Sequence, residues 1–171
     1  ITEDESLDNS TYLSYNCVLG DNNMDRELYI AFQIIDYALV SSQGTPLKQA
    51  LLDAGVGNDI YAVFENGICQ PYYSIVAKNA NEADKEKFLQ IIKDVLNKVV
   101  EEGFDKNALE AGLTGLEFKY RESDFGTNPR GLFLGLYAFD SWLYDENKPF
   151  IHIECNETYA KLREYINTDY Y

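Results

Sequence analysis

Histidine occurs once in the 171 residues, at His152. No HxxEH or HxxxH pair can be written, so a zinc site built on two helix-borne histidines is excluded from this chain alone. Cysteine is almost as scarce: Cys17, Cys69 and Cys155 are widely spaced, and no CxxC occurs. That excludes a zinc knuckle or a vicinal redox pair and predicts free, mostly buried thiols in a reducing compartment, the cytoplasm. No apolar run approaches the roughly 18 residues of a membrane span, no signal peptide is visible, and no membrane partner is expected. Basic residues are few, 14 against 29 acids, for a net charge of −15. Nucleic acid is therefore not an expected partner, because phosphate has to be met by clustered Lys and Arg. There is no G-x-G-x-x-G, P-loop or G-x-S-x-G motif, and Gly55-Val56-Gly57 is too sparse a signal for phosphate binding.

What the chain does hold is apolar and aromatic: 46% hydrophobic residues, 14% aromatic, with 14 tyrosines. Such a composition is globular, and a chain of this length can bury a sizeable core. Residues 1–9 are acidic and without periodicity, and read as a linker or arm ahead of a single domain spanning 10–171. The first residue is Ile, which suggests a fragment or a processed product.

Along the chain, residues 11–19 alternate, with Leu13, Tyr15, Cys17 and Leu19 on one face of a strand. Residues 25–40 read as a helix with a stripe of Leu28, Ala31, Phe32, Ile35 and Leu39, widened by Ile34 and Ala38. Thr45-Pro46 is an N-cap and first-turn signal for a short helix ending at Gly55. Strands are expected at 60–65 and 72–78 around the turn signal Asn66-Gly67, with Pro71 pointing to an edge position or a longer loop. Residues 81–102 carry Phe88, Ile91, Ile92, Val95, Leu96, Val99 and Val100 at helical spacing, and Gly103 closes that helix.

The stretch from Phe104 to Asp145 comes next. Asp105 is set to cap a helix with Leu109, Leu113, Leu116 and Tyr120 on one face, while Ala108, Ala111, Gly112 and Gly115 keep another side slim. A break is expected near Gly126, with Pro129 opening a second helix whose stripe of Leu132, Phe133, Leu136, Phe139, Trp142 and Leu143 reads as almost wholly internal. Between them Lys119, Arg121, Glu122 and Asp124 form a charged corner, read as a structural ion-pair network rather than an acid–base pair. A brief extension at 150–153 and a last helix at 157–166 complete the chain. The expected class is α+β in two layers, a small antiparallel sheet of about three to four strands covered on one face by about six helices.

The residues show no catalytic constellation. Glu101-Glu102 reads as a solvated helix end, and His152 reads as a partly exposed loop residue. His152 and Cys155 are the one local thiol–imidazole pair, with nothing in sequence to orient the ring. By residues alone this is a noncatalytic α+β domain, and a freestanding protein- or peptide-binding module remains open beside an enzyme fragment.

Three ordered stretches carry a resemblance. They are P-L-K-Q-A-L-L-D-A-G-V-G at 46–57, Q-P-Y-Y-S-I-V-A-K-N-A-N at 70–81, and L-E-F-K-Y-R-E-S-D-F-G-T-N-P-R-G-L at 116–132 followed by D-S-W-L-Y-D at 140–145. Together they resemble the insulinase-type (M16-like) zinc metallopeptidases, in the presequence-protease-like branch, and specifically the second, noncatalytic domain. The resemblance implies a long chain of four related α+β domains closing into a chamber that degrades unfolded peptides, with zinc held by an inverted HxxEH motif in the first domain. That motif is absent here, so the resemblance carries over no catalytic or metal residue. It implies a piece of chamber wall, with the remaining domains of the same polypeptide as partners and peptide substrates only in the full-length protein. In an isolated fragment, surfaces its neighbours normally cover are open to crystal contacts or to an artefactual dimer. The net charge of −15 adds the expectation of a negative wall that steers basic peptides inward.

Overall fold

The computed structural model describes residues 8–21, 24–123 and 125–171. Most of the expected acidic arm, residues 1–7, lies outside that range. Asn9 is pinned: its backbone N–H donates to Asn81 Oδ1 at 2.8 Å, and Asn81 Nδ2 donates back to Asn9 Oδ1 at 2.9 Å.

Three strands form one antiparallel sheet in the order β1-β3-β2, from β1 (Thr11–Val18), β2 (Asp59–Glu65) and β3 (Tyr72–Ala80). The central strand is β3, so Pro71 does not mark an edge. It sits just ahead of the strand, fully buried, and its carbonyl accepts from Leu19 N–H at 2.9 Å. A proline there costs the sheet no ladder donor. The register sets Leu13 and Ile60 on either side of Ala77, and Tyr15 and Ala62 on either side of Ile75. Leu13, Ile60, Ile75 and Ala77 are buried beneath helices. The strand alternation then places Tyr12, Val18, Tyr61 and Val63 on the opposite face, and all four are exposed.

The helices fall in two ranks. The first core closes over the sheet with α2 (Pro46–Asp53) and α3 (Lys85–Glu102), using Leu47, Leu51, Val56, Phe88 and Ile92. The second core joins α1 (Arg26–Asp36), α4 (Lys106–Glu122) and α6 (Asn156–Tyr165) through Ile30, Ile34, Leu109, Leu113, Tyr159 and Leu162. The remaining helix, α5 (Arg130–Trp142), contributes to neither.

Helix α1 belongs to both ranks. Asp25 caps it, Oδ1 accepting from Leu28 N–H at 2.8 Å. Its buried residues are Tyr29, Ile30, Ala31 and Ile34, so the stripe is rotated from the expected one and Leu28 is exposed. A helix packed on two sides has no single stripe, and a one-face reading of the periodicity cannot find both. At Tyr37–Ser41 the helix widens into a π turn, closed by Ser42 N–H donating to Tyr37 O at 3.2 Å. The wider turn lets three successive residues be buried: Ala38 joins the second core, and Leu39 and Val40 join the first. Thr45, expected as an N-cap, turns its hydroxyl back to donate to Val40 O at 3.2 Å and Ser42 O at 3.0 Å. It thereby satisfies carbonyls that the π turn leaves open.

The other long helices follow the sequence closely. Gly103 closes α3 with φ of 79°, although Val100 is 85% exposed rather than buried. Asp105 caps α4 through Asn107 N–H at 2.7 Å. Helix α4 stops at Ser123 in the left-handed region, ahead of the expected Gly126, whose own φ of 63° bends the connection instead. Pro129 immediately precedes α5, as expected. Residues 150–153 form turns and not a strand.

Two glycines of α4 now separate by environment. A Cβ on Gly112 would lie 3.0–3.1 Å from Tyr37, whereas one on Gly115 would meet nothing within 4 Å. Gly112→Leu should therefore destabilise the fold by about 1–3 kcal/mol by forcing α4 off the π turn. Gly115→Ala should stabilise it by up to about 1 kcal/mol through helix propensity. Urea denaturation of the two variants checks the opposite signs.

Candidate functional surfaces

The charged corner expected at Lys119, Arg121, Glu122 and Asp124 is displaced by one helical turn. Arg121 pairs with Glu117, Nη2 to Oε1 at 2.6 Å, rather than with Glu122. Glu117 also accepts from Arg163 Nη2 at 2.8 Å, and Arg163 reaches Glu110 as well. Glu110 and Glu117 are two turns apart on α4, so one guanidinium on α6 spans both and clamps the helices together. Asp124 lies outside the described residues. The Glu117–Arg121 spacing is legible as an i,i+4 pair, but the cross-helix partner Arg163 has no local signal. Hydrogen bonding from Arg163, opposed by burial and supported by Arg121, holds the Glu117 carboxyl below the usual carboxylate range.

His152 and Cys155 are close in sequence but not poised for thiol chemistry. Burial, and then the Arg26 guanidinium, push the imidazole down to about 4. Its ring packs edge-on against Tyr29 at 4.7 Å, and Nε2 has no partner among the described residues. Burial pushes the Cys155 thiol up, and its Sγ lies 3.7 Å from Ile151 O. Cys155 Sγ donates to Ile151 O and His152 Nε2 takes no hydrogen bond from it, so the imidazole is not placed to take the thiol proton. The local backbone is held by Arg26, whose Nε donates to Ile151 O at 2.7 Å, and by Tyr120, whose hydroxyl donates to Ile153 O at 2.5 Å. Cys155 is the one buried cysteine; Cys17 and Cys69 are exposed, contrary to expectation. Both line an open cleft of about 720 Å³ between the end of β1, the β2–β3 loop and Tyr144.

Zinc finds no cradle among the described residues. Among the described residues no three of His, Cys, Asp or Glu converge at ligand spacing. The donor set does not fit the ion, and no chemical step can be routed through it here.

Two surfaces are open instead. One is the sheet face away from the helices, with Tyr12 56%, Val18 59%, Tyr61 38% and Val63 39% exposed. Lys78 lies 5.9 Å from the centroid of the Tyr12 ring on this face. The three strands contribute only Asp59 and Glu65 as acids. The expected negative wall that steers basic peptides therefore gains no support from the strands.

The other open surface is α5, and it overturns the expectation of an internal helix. None of its residues is buried, and Leu132, Leu136, Phe139 and Trp142 are each about half exposed, at 54%, 48%, 49% and 50%. It is attached by its opposite side, where Phe133 stacks on Phe125 at 4.7 Å and Ser141 Oγ donates to Lys148 O at 2.6 Å. Asp140 rests on the β2–β3 turn, where a Cβ on Gly67 would fall 2.9 Å from its Oδ1. Burial and the nearby Glu65 raise the Asp140 carboxyl above its ordinary value.

No helix among the described residues is long and apolar enough to cross a membrane. Residues 3–116 match the family profile described as the Peptidase M16 inactive domain. The chain is 37% identical over 171 residues to Protein HypA of Clostridium perfringens, covering 100% of this chain and 17% of that protein. It is 31% identical over 161 residues to Presequence protease 1, chloroplastic/mitochondrial, of Arabidopsis thaliana, covering 94% and 15%. The fold is shared with the inactive peptidase domain of a Bordetella parapertussis protein described as a zinc protease, with a TM-score of 0.64, 12% identity, and coverage of 91% of this chain and 76% of that one. The chain thus spans about one-sixth of the length of these two curated relatives.

Two outcomes follow from this geometry. A carboxyl held low in the folded state contributes stability above its ordinary value and loses it as pH falls through the folded one. Acidification from pH 6 to 3.5 should therefore lower the urea midpoint less in Glu117→Gln than in the parent chain. Gly67→Ala should be met by a turn of the Asp140 carboxylate alone, so the rate of proteolysis within 125–150 should stay within about twofold of the parent chain.

Proposed function

The chain belongs to the family of M16 peptidase inactive domains, and from that membership we propose that it serves as a noncatalytic wall of a zinc metalloendopeptidase that degrades unfolded peptides. In this reading the cutting is done elsewhere in the polypeptide, by a domain holding zinc. The present domain packs on that catalytic domain and shapes the space in which a peptide is held. The observation that carries the reading is the one-sided sheet: helices close over Leu13, Ile60 and Ile75, while Tyr12, Val18, Tyr61 and Val63 stay bare on the other face. A strand face this rich in tyrosine and valine suits an extended chain or a neighbouring domain better than it suits solvent.

The chemistry of the chain agrees with a supporting role. Its imidazole is neutral and turned against Tyr29, and its buried thiol is protonated. Its best-organised charges, Glu110, Glu117, Arg121 and Arg163, are paired with one another and hold two helices together. What such a domain contributes to catalysis is position: a wall that restricts substrate orientation raises the rate without touching the reacting atoms.

Removal of residues 10–171 from the full-length polypeptide tests the reading. The shortened protein should retain its zinc and lose at least about a hundredfold in kcat/KM on an unfolded peptide, the scale that misplacement costs. Full activity in the shortened protein would refute the wall assignment.

A further inference from the structure

Helix α5 is built inside out. On a helical projection Gly131, Trp142, Gly135, Phe139, Leu132, Leu143 and Leu136 fall in that order on one arc of roughly 140°. The five large residues of the arc are exposed, Leu143 most of all at 71%. Phe139 and Trp142 stack with ring centroids 5.8 Å apart, which holds both rings in the arc. A Cβ on Gly131 or Gly135 would meet nothing within 4 Å. Two glycines one turn apart therefore leave a shallow groove along the helix, flanked by large apolar side chains.

That shape selects its occupant. The arc carries no ionisable side chain, so a charged peptide or a phosphate finds nothing to pair with. Helix α5 offers no free strand edge, so an added strand would leave its own backbone groups unpaired. A second helix suits the groove: its ridge of side chains four residues apart enters between the flanking rows. The missing Cβ atoms allow the axes to approach at the short end of the roughly 8–10 Å range. A second copy of this chain is disfavoured, because each copy brings a net charge of −15. The alignment with the Clostridium perfringens protein spans the entire chain, α5 included, within a polypeptide of which it is 17%. Most of such a polypeptide lies outside these residues and is able to supply a helix.

We infer that the outward arc of α5 seats an amphipathic helix from another part of the same long polypeptide, through the groove at Gly131 and Gly135. The inference rests on reading this chain as one domain of a larger protease, and it adds which surface joins it to the rest and with what element.

The test places the photo-crosslinker p-benzoylphenylalanine at position 136 of the full-length polypeptide. Irradiation should give an intramolecular product, mapped by mass spectrometry to a segment outside these residues with apolar positions at helical spacing. Filling the groove with Gly131→Leu and Gly135→Leu should cut the yield by about tenfold, as overpacking separates the two helices. Gly115→Leu, equally open but on α4, should leave it unchanged. Products joining two copies, products to a strand or loop, or no product at all would each overturn the inference. So would a yield indifferent to the groove substitutions. The zinc and activity measurements on the shortened protein are independent of this outcome. A crosslink to a helix in a polypeptide that keeps full activity without residues 10–171 would sink the wall reading and leave the seat standing.

Discussion

The structure depends on α1 being buried from two directions. A helix in a two-layer α+β domain ordinarily has a core side and a wet side. Here Ile30, Ala31 and Ile34 face α4 and α6, while Phe32 meets Phe64 of the sheet at 5.6 Å. The π turn at Tyr37–Ser41 lets one short segment serve both cores, with Ala38 on one side and Leu39 and Val40 on the other. Asp36 holds that turn against the sheet. Its Oδ1 accepts from the Tyr73 hydroxyl at 2.7 Å and its Oδ2 from Ser41 Oγ at 2.5 Å. Burial, and then the Asp36 charge, push the Tyr73 hydroxyl well above its ordinary range, which keeps it a donor to Asp36. Gly112 completes the arrangement by letting α4 lie directly on Tyr37.

From this follows a division between what is closed and what is open. The two cores cover most of the apolar residues of α1, α2, α3, α4 and α6, with Leu28, Val100 and Phe118 left exposed. The polar groups inside them are engaged locally: Thr45 on the π-turn carbonyls, Tyr120 on the backbone at Ile153 and Cys155. The uncovered apolar surface is concentrated on the outer sheet face and on α5. The domain thus pairs two closed cores with two bare apolar faces.

Much of the fold was legible because its signals are local. Alternation found β1, the long 3.6-residue period found α3, and Asp105 and Gly103 marked helix ends through backbone needs that only a few residue types meet. The errors have physical causes. Apolar periodicity in α5 reports which residues share a face but not whether anything covers it, so Leu132, Leu136 and Phe139 were expected inside. The doubly buried α1 has no single stripe to find. Arg163 lies 46 residues from Glu117, and a clamp between helices is invisible until the helices are packed. That no HxxEH motif can be written was legible from a single histidine. The identity of the two open faces was not, because exposure is a property of the fold and not of the residue.

Hydrogen–deuterium exchange of the 171-residue chain alone, set against the same residues in the full-length polypeptide, tests most directly the claim that the cores are self-sufficient and the apolar surface is shared. The amides of α1, α4 and β3 should exchange slowly in both, and those of α5 should be fast in the isolated chain and slow in the full-length protein. Equal exchange of α5 in the two would contradict the account, as would loss of protection in α1 and β3 when the chain stands alone.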